Sequence, residues 1–219
     1  MSMSLSFTSS SPENTLDLGR LLGLAAEPGD VVLLTGELGS GKTQLTKGIA
    51  LALGVKRPVT SPTFNIIYEY QDEGKTLEAG EPPGVGEPLG AGRPKTVLRH
   101  FDLYRLEKEE ELDDIDYFGL LEDDVVSVVE WGDKFPEALP NDYLLVEFEY
   151  IDEFARLLQF QAAGRRGEAL LERLKELAAR LGLSVYIADE VPEGKPNGTL
   201  GGTSGGIPGV TTDGSPNER

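Results

Sequence analysis

The chain has 219 residues, 39% of them hydrophobic, so it is long enough for one medium-sized domain with appendages. Its 38 acidic and 20 basic residues give a formal net charge of −18, which disfavours direct binding to nucleic acid because phosphates repel such a surface. The absence of cysteine excludes disulfide bonds and thiolate metal sites. No apolar run reaches the length of a membrane span, and the first residues lack the apolar region of a secretory signal, so we expect a cytoplasmic protein.

The first quarter of the chain predicts alternating strands and helices. Leu5 and Phe7 alternate with small polar residues, which favours a short strand, and residues 10–13 have the Ser, Pro and Glu of a helix start. Residues 31–34 form a short continuous apolar run, typical of a strand that is buried on both faces. A second helix is predicted at residues 42–53.

The rest of the chain predicts further strands, separated by segments of unusual composition. Strands are predicted at residues 64–70, 97–102, 125–130, 144–150 and 183–187, and helices at residues 107–121 (one or two short ones) and 168–181. Residues 72–95 are rich in Gly, Pro and Glu and cannot bury enough apolar surface to offset the entropy of ordering, so we expect a mobile surface loop. Residues 192–219 have the composition of a disordered tail.

Residues 36–43, Gly-Glu-Leu-Gly-Ser-Gly-Lys-Thr, match the phosphate-binding P-loop pattern at every constrained position. Glycine lets backbone N–H groups turn toward phosphate, and the following helix presents its positive end there. The residues predicted to bind the phosphates of Mg²⁺-ATP are consecutive: Glu37, Leu38, Gly39, Ser40, Gly41, Lys42 and Thr43. Lys42 is expected at the β- and γ-phosphates, and the Thr43 hydroxyl is a predicted Mg²⁺ ligand. The predicted fold is α/β, a P-loop NTPase-like sheet flanked by helices, with an irregular Gly/Pro-rich loop and a C-terminal extension.

Two further predicted strands end in a carboxylate. The strand at 125–130 ends in Glu130, and the strand at 97–102 ends in Asp102. Carboxyl ends of parallel strands meet at one edge of a sheet, so both side chains are expected at the phosphate site. Together with Lys42 they are the candidate catalytic residues, either acid serving the metal or the attacking water, and Glu130 is also a predicted Mg²⁺ ligand. For either acid alone, a surface carboxylate after a strand is the alternative.

Other features near these motifs are less specific. Residues 60–63, Thr-Ser-Pro-Thr, follow the P-loop helix where switch segments lie, and Thr63 is a predicted Mg²⁺ ligand, although the spacing equally fits a plain turn. His100, the single histidine, is interpreted as structural, and Trp131 as packing or as a lid over the site. Between Glu107 and Asp124 almost all charged residues are acidic, which favours a solvated face over a docking face.

In this order, the motifs resemble those of the bacterial TsaE family, also called YjeE. The resemblance is carried by the P-loop, by Thr-Ser-Pro-Thr at 60–63, by His-Phe-Asp-Leu-Tyr-Arg at 100–105 and by Val-Glu-Trp at 129–131. It spans residues 5–150. Many families share the P-loop, whereas the run at 100–105 followed by Glu130 and Trp131 is far more specific.

The resemblance implies an ATP hydrolase that serves the synthesis of threonylcarbamoyladenosine in tRNA. In that family the P-loop binds ATP, the segment matching 60–63 acts as a switch, and the acids matching Asp102 and Glu130 serve Mg²⁺ binding and hydrolysis. It implies docking on the TsaB–TsaD pair, with tRNA contacted only indirectly, which fits the acidic composition. Residues 1–150 would form the ATPase domain, while the helical extension at 151–191 and the tail inherit no function.

Three other functions use similar residues. A small-molecule kinase would share the P-loop but needs an Arg-rich lid, and the basic residues of this chain are scattered. A GTP-operated switch is superficially suggested by Asp-Tyr-Phe-Gly at 116–119, but no Asn-Lys-x-Asp guanine-reading motif is present. A structural subunit with a relict site is disfavoured by the intact P-loop and strand-end acids. ATP against GTP binding, and phosphate release without an acceptor, would separate these functions.

Overall fold

The fold is known from a computed structural model, which describes residues 4–71, 97–181 and 186–187. The predicted loop at 72–95 and the predicted tail at 192–219 lie outside the described residues, as does most of the predicted strand at 183–187. Within the described part, none of the helices has the length and apolar character needed to cross a membrane.

Strands and helices follow one another along the described chain, as the sequence predicts. The strands are β1 (Ser4–Ser9), β2 (Val31–Gly36), β3 (Ile67–Gln71), β4 (Val97–Asp102), β5 (Val126–Glu130), β6 (Tyr143–Tyr150), β7 (Arg156–Ala163) and β8 (Tyr186–Ile187). The helices are α1 (Pro12–Ala25), α2 (Lys42–Ala52), α3 (Glu111–Asp114), α4 (Tyr117–Leu121) and α5 (Gly164–Arg180), with one 3₁₀ turn at Pro136–Ala138.

A single sheet contains all of the described strands, in the order β3-β4-β5-β2-β6-β7-β1-β8. The central strands β4, β5, β2 and β6 are parallel, and the outer pairs are antiparallel. The carboxyl ends of the four parallel strands therefore meet at one edge, where the P-loop follows β2. This confirms the predicted α/β fold with a sheet flanked by helices.

Two apolar cores cover the two faces of the sheet. Alternate residues of β2 face opposite sides: Val32 and Leu34 pack with α1, α2 and α5, whereas Val31 and Leu33 pack with α3, α4 and the segment around Leu103. Burial on both faces explains why β2 is a continuous apolar run rather than an alternating one.

The helices α1 and α2 cross at unusually short distance, through glycines. A Cβ atom at Gly19 would lie 2.2 Å from the Leu45 carbonyl oxygen, and one at Gly48 would lie 2.1 Å from the Leu16 carbonyl oxygen. Real side chains do not pack at such distances, so only glycine permits this crossing. The crossing holds the middle of α2 and thereby places its first residues at the carboxyl edge of the sheet.

Residues 156–163, predicted to belong to a helical extension, form strand β7 between β6 and β1. The physical reason is burial: Leu158 and Phe160 face the core shared by α1, α2 and α5. Helix α5 begins at Gly164, before the predicted start at residue 168, and packs on α1. The predicted domain limit at residue 150 thus falls at the last residue of β6, which pairs with β7.

Strand β3 is shorter than predicted and begins at Ile67 rather than at residue 64. The preceding residues form a turn instead, in which the N–H groups of Asn65 and Ile66 donate to the Pro62 carbonyl at 2.8 and 2.6 Å. Ile66 has a φ of 67°, a left-handed conformation that a strand cannot accommodate. The turn carries residues 60–63 to the end of β4.

Candidate functional site

A cleft of about 370 Å³ opens at the carboxyl edge of the parallel strands. Its lining comes from the P-loop and the start of α2, from the 60–63 segment and from the ends of β4 and β5: Leu38, Gly39, Ser40, Gly41, Lys42, Thr43, Gln44, Lys47, Ser61, Thr63, Asp102, Tyr104, Glu130 and Trp131. Almost every predicted site residue is therefore found in one place. The exception is Glu37, which lines a smaller cavity of about 130 Å³ beside Phe148 and Tyr150.

The P-loop has the backbone geometry of a phosphate cradle. Gly36, Gly39 and Gly41 have φ angles of 131°, 78° and 113°, a region that residues with side chains rarely adopt. A Cβ atom at Gly39 would meet nothing within 4 Å, so this part of the loop faces open space. Gly41 caps α2 without any side-chain hydrogen bond, which leaves the first N–H groups of the helix for a ligand.

Lys42 is turned into the cleft and is held by the loop itself. Its Nζ donates to the carbonyl oxygens of Gly36 and Glu37 at 2.7 and 2.9 Å, and lies 4.0 Å from the centroid of the Trp131 ring. The residue is only 4% exposed. Burial lowers the pKa of Lys42, while the negative charge of Glu130 opposes that shift. The ammonium is thus a poorly hydrated cation at the phosphate-binding loop.

The predicted metal ligands Thr43 and Glu130 are in direct contact. Thr43 Oγ1 donates to Glu130 Oε1 at 2.7 Å, and Glu130 is 3% exposed. The same carboxylate oxygen lies 2.9 Å from His100 Nε2. His100 is fully buried, as the structural interpretation expects, but its ring contacts the site directly and its Nδ1 has no hydrogen-bond partner in the described structure.

Asp102 lies opposite Glu130 in the β4–β5 pairing and receives the 60–63 segment. Ser61 Oγ and Thr63 Oγ1 both donate to its Oδ2, the latter at 2.6 Å. The Tyr104 N–H donates to the other oxygen, Oδ1, at 3.0 Å. Thr63, a predicted Mg²⁺ ligand, therefore bonds to Asp102 rather than to Thr43 or Glu130. The predicted switch segment is attached to the end of β4 by this one carboxylate.

An aromatic pair forms one wall of the cleft. Trp131 adopts a φ of 62° directly after β5, and its ring centroid lies 5.1 Å from that of Tyr104. Its backbone N–H donates to the Leu34 carbonyl at 2.8 Å, which ties the wall to β2. Trp131 was expected to be packing or a lid, and its ring both packs on Tyr104 and lines the cleft.

Several residues of the cleft lining were not predicted, and two stretches noted in the sequence, Arg105 of the 100–105 motif and residues 116–119, lie outside that lining. Tyr104 belongs to the motif at 100–105, which is the signal that could have identified it, whereas Gln44 and Lys47 carry no such signal. Arg105 does not line the cleft; its guanidinium lies 4.1 Å from the ring centroid of Phe64, which is 82% exposed. The GTPase-like stretch at 116–119 forms the start of α4, away from the cleft lining.

Comparison with known proteins identifies the family. A family profile described as threonylcarbamoyl adenosine biosynthesis protein TsaE matches residues 9–158. The chain is 37% identical to the tRNA threonylcarbamoyladenosine biosynthesis protein TsaE of Bacillus subtilis, over 74% of this chain and 89% of that protein. It is 41% identical to the protein of the same name from Mycobacterium bovis, over 64% of this chain and 75% of that protein.

A solved structure agrees with this comparison. The crystal structure of YdiB from Bacillus subtilis superimposes with a TM-score of 0.59 and 32% sequence identity, covering 80% of this chain and 97% of that one. All of the cleft residues lie inside the range that the family profile matches. The chain therefore belongs to the TsaE family, whose role is in the biosynthesis of threonylcarbamoyladenosine in tRNA.

Proposed function

We propose that this protein is a Mg²⁺-dependent ATP hydrolase that supports the TsaB–TsaD pair in the tRNA-modifying machinery of its family. The observation that carries the proposal is the meeting of three elements in one cleft. These are a glycine cradle with a buried lysine, a hydroxyl–carboxylate pair, and the segment at residues 60–63, which is held by a second carboxylate. This combination is what phosphoryl-transfer sites of the P-loop class require.

The cradle fits the phosphates of a nucleotide. Its open side, the left-handed glycines and the uncapped start of α2 present backbone N–H groups without side chains in the way. Lys42 exchanges the carbonyls of Gly36 and Glu37 for phosphate oxygens when the nucleotide binds. Because Lys42 is already desolvated, little hydration has to be removed for that exchange.

Thr43 and Glu130 fit a magnesium site that is completed by the nucleotide. Mg²⁺ in such sites is held by one or two protein groups together with phosphate oxygens and water. Within the described ranges, no group of three or more His, Cys, Asp or Glu side chains is placed to hold a metal ion. When bound, Mg²⁺ neutralises charge on the phosphate oxygens.

The two carboxylates have different tasks in this proposal. Both oxygens of Asp102 already accept hydrogen bonds from the chain, so Asp102 holds the 60–63 segment and meets water only when Ser61 and Thr63 release it. Glu130 Oε2 accepts no hydrogen bond from the described residues. Glu130 is therefore the acid that serves the metal and its water.

The partner supplies what the cleft lacks. The cations that line the described cleft are Lys42 and Lys47, and Arg105 is engaged with Phe64. An added cation on the transferring phosphoryl group increases rates by about 10³–10⁵ in related proteins. The apolar side chains of Leu38 and Phe64 are 78% and 82% exposed beside the site, which offers a partner surface to cover. Cytoplasmic location is part of the same proposal.

The experiment measures steady-state phosphate release with ATP or GTP, with and without the TsaB–TsaD pair, at low and high salt. We expect preference for ATP, slow release by the isolated chain without any acceptor, and acceleration by the pair. Fast release that the pair does not change would contradict the partner role. Release that requires a small-molecule acceptor would favour the kinase function instead.

A further inference from the structure

We propose that His100 is a positioning residue, which holds Glu130 in the orientation that the metal–nucleotide complex needs; the inference rests on the proposed function. His100 lies inside the sheet, 0% exposed, with Nε2 at 2.9 Å from Glu130 Oε1. His100 is not among the residues that line the cleft. Its role is thus exerted through Glu130 and not on the reacting atoms.

Strand register explains why this histidine reaches that carboxylate. In the parallel pair β4–β5, His100 lies opposite Val128, and Asp102 lies opposite Glu130. Alternate residues of a strand share a face, so all four side chains project to the α2 side of the sheet. His100 precedes Asp102 by two residues on the same face of β4, so it lies diagonally across from Glu130 on β5. At that separation a histidine ring reaches the carboxylate, whereas a short side chain does not.

Two hydrogen bonds converge on one oxygen of Glu130. A carboxylate only accepts, so Thr43 Oγ1 and His100 Nε2 both donate to Oε1. Because both donors hold Oε1, Oε2 accepts no hydrogen bond from the described residues and is free to face the cleft. A glutamate has several rotatable bonds, and ordering them by existing contacts removes an entropic cost from metal binding.

The other ring nitrogen makes no contact within the described structure that would account for a histidine at this position. Nδ1 is buried and has no partner among the described residues. Buried polar atoms are nearly always hydrogen-bonded, and an unsatisfied one reduces stability. An apolar residue of similar size would fill the same space without that cost. The Nε2–H donor to Glu130 is the property that an apolar residue would lack.

The test uses Trp131, the single tryptophan of the chain, as a fluorescent reporter in the cleft. Affinity for a non-hydrolysable ATP analogue is measured with Mg²⁺ and with EDTA, for the wild type and for His100→Leu, which keeps bulk but removes the donor. We expect the Mg²⁺-dependent gain in affinity to fall by about 10–100-fold in the variant. The affinity in EDTA is expected to stay unchanged, because the P-loop is untouched.

Two further variants separate positioning from packing. His100→Gln restores an N–H donor at similar reach, and we expect it to recover the Mg²⁺-dependent gain. Val128→Ala removes bulk beside His100 on the same face; it should lower the free energy of unfolding and leave the Mg²⁺-dependent gain intact. Equal loss in His100→Leu and His100→Gln, or the same loss in Val128→Ala, would overturn the proposal.

The outcomes also distinguish this inference from the proposed function. A wild type whose affinity does not depend on Mg²⁺ would contradict the proposed function. A wild type with a clear gain that His100→Leu retains would overturn only the role of His100. Should His100→Leu not fold, His100→Gln is compared with His100→Asn, which is one methylene shorter. The proposal requires that His100→Gln keeps the Mg²⁺-dependent gain in affinity and that His100→Asn loses it.

Discussion

The middle of α2 and its first turn are built by opposite means, although they belong to one helix. At the crossing with α1, Gly19 and Gly48 bring two backbones into contact, and the surrounding side chains are apolar. At the first turn, the groups held in place are polar: the buried Lys42 donates to carbonyl oxygens, and the partly buried Thr43 donates to Glu130. The crossing with α1 fixes the position of α2, and the first residues of α2 line the cleft. Changes in one region should therefore alter stability, and changes in the other should alter chemistry.

Lys42→Ala gives the largest expected effect on chemistry. Loss of a charge-assisted contact in a buried site lowers turnover by at least about 10²–10³. The free energy of unfolding should change little, because the variant also removes a buried cation whose pKa is lowered by desolvation. Phosphate release and chemical denaturation measure the two quantities. Lys47→Ala, also on the cleft lining, is the control and should retain most activity; parent-like hydrolysis by Lys42→Ala would show that the site is misassigned.

Gly19→Val gives the largest expected effect on stability. Its side chain would collide with the Leu45 carbonyl, since even a Cβ atom would lie 2.2 Å away, and overpacking of this kind costs about 1–3 kcal/mol or more. Leu51→Ala, on the half-exposed side of α2, is the control and should cost less. Denaturant unfolding measures both. A folded Gly19→Val protein with parental stability would show that the crossing does not hold α2 in place.

The strands differ in how well the sequence predicted them. β2 and β5 are short and mostly apolar, and they are followed by the P-loop or end in an acid, while β4 ends in Asp102; all three were predicted closely. β7 was missed although its sequence carries a strand signal, because Leu158 and Phe160 alternate with Gln159 and Gln161 in the period of a half-buried strand. The sequence alone does not show that this short segment continues the sheet. Its burial is visible only once its pairing with β6 and β1 is known.

For the site too, the sequence predicted position better than pairing. Lys42, Thr43, Asp102 and Glu130 were predicted to lie together because strand ends and a P-loop meet by topology alone. The partners of these groups depend on lateral register, which no local motif encodes. The contact of His100 with Glu130 and that of Thr63 with Asp102 are of this kind. The sequence therefore predicted which residues lie together at the cleft, and the structure adds which of them form hydrogen bonds with one another.

Asp102→Asn tests the link between the 60–63 segment and the cleft. An amide offers one acceptor oxygen where the carboxylate accepts from Ser61, Thr63 and the Tyr104 N–H. The two hydroxyls would have to accept from the amide N–H₂ instead, and the charge-assisted bonds to the carboxylate are replaced by weaker neutral ones. We expect faster hydrogen exchange at the Asn65 and Ile66 N–H groups and reduced phosphate release. Asp133→Asn, on a nearby turn, is the control. Unchanged exchange would show that the segment is held by other contacts.

Asp30→Asn has the smallest expected effect and tests a buried carboxylate that lies away from the cleft, between the Glu27 N–H and Arg173 of α5. Burial raises the pKa of Asp30 above 3.8, although the Glu27 N–H and Arg173 oppose this. A raised pKa in the folded state means that the contribution of Asp30 to stability is full below the unfolded value and is lost as pH rises through the folded one. The variant, whose amide does not titrate, should therefore remove this pH dependence of the free energy of unfolding, which lies above pH 3.8. An unaltered profile would show that Arg173 fully compensates the burial of Asp30.

The central claim is that the cleft hydrolyses ATP through the contact between Thr43 and Glu130. The most direct measurement is steady-state phosphate release from ATP by the wild type and by Thr43→Val, which keeps the shape and removes the hydroxyl, each with Mg²⁺ and with EDTA. We predict Mg²⁺-dependent release by the wild type and, in Thr43→Val, a rate near that of the wild type in EDTA, with the free energy of unfolding preserved. Release by Thr43→Val at the wild-type rate, still dependent on Mg²⁺, would contradict the account.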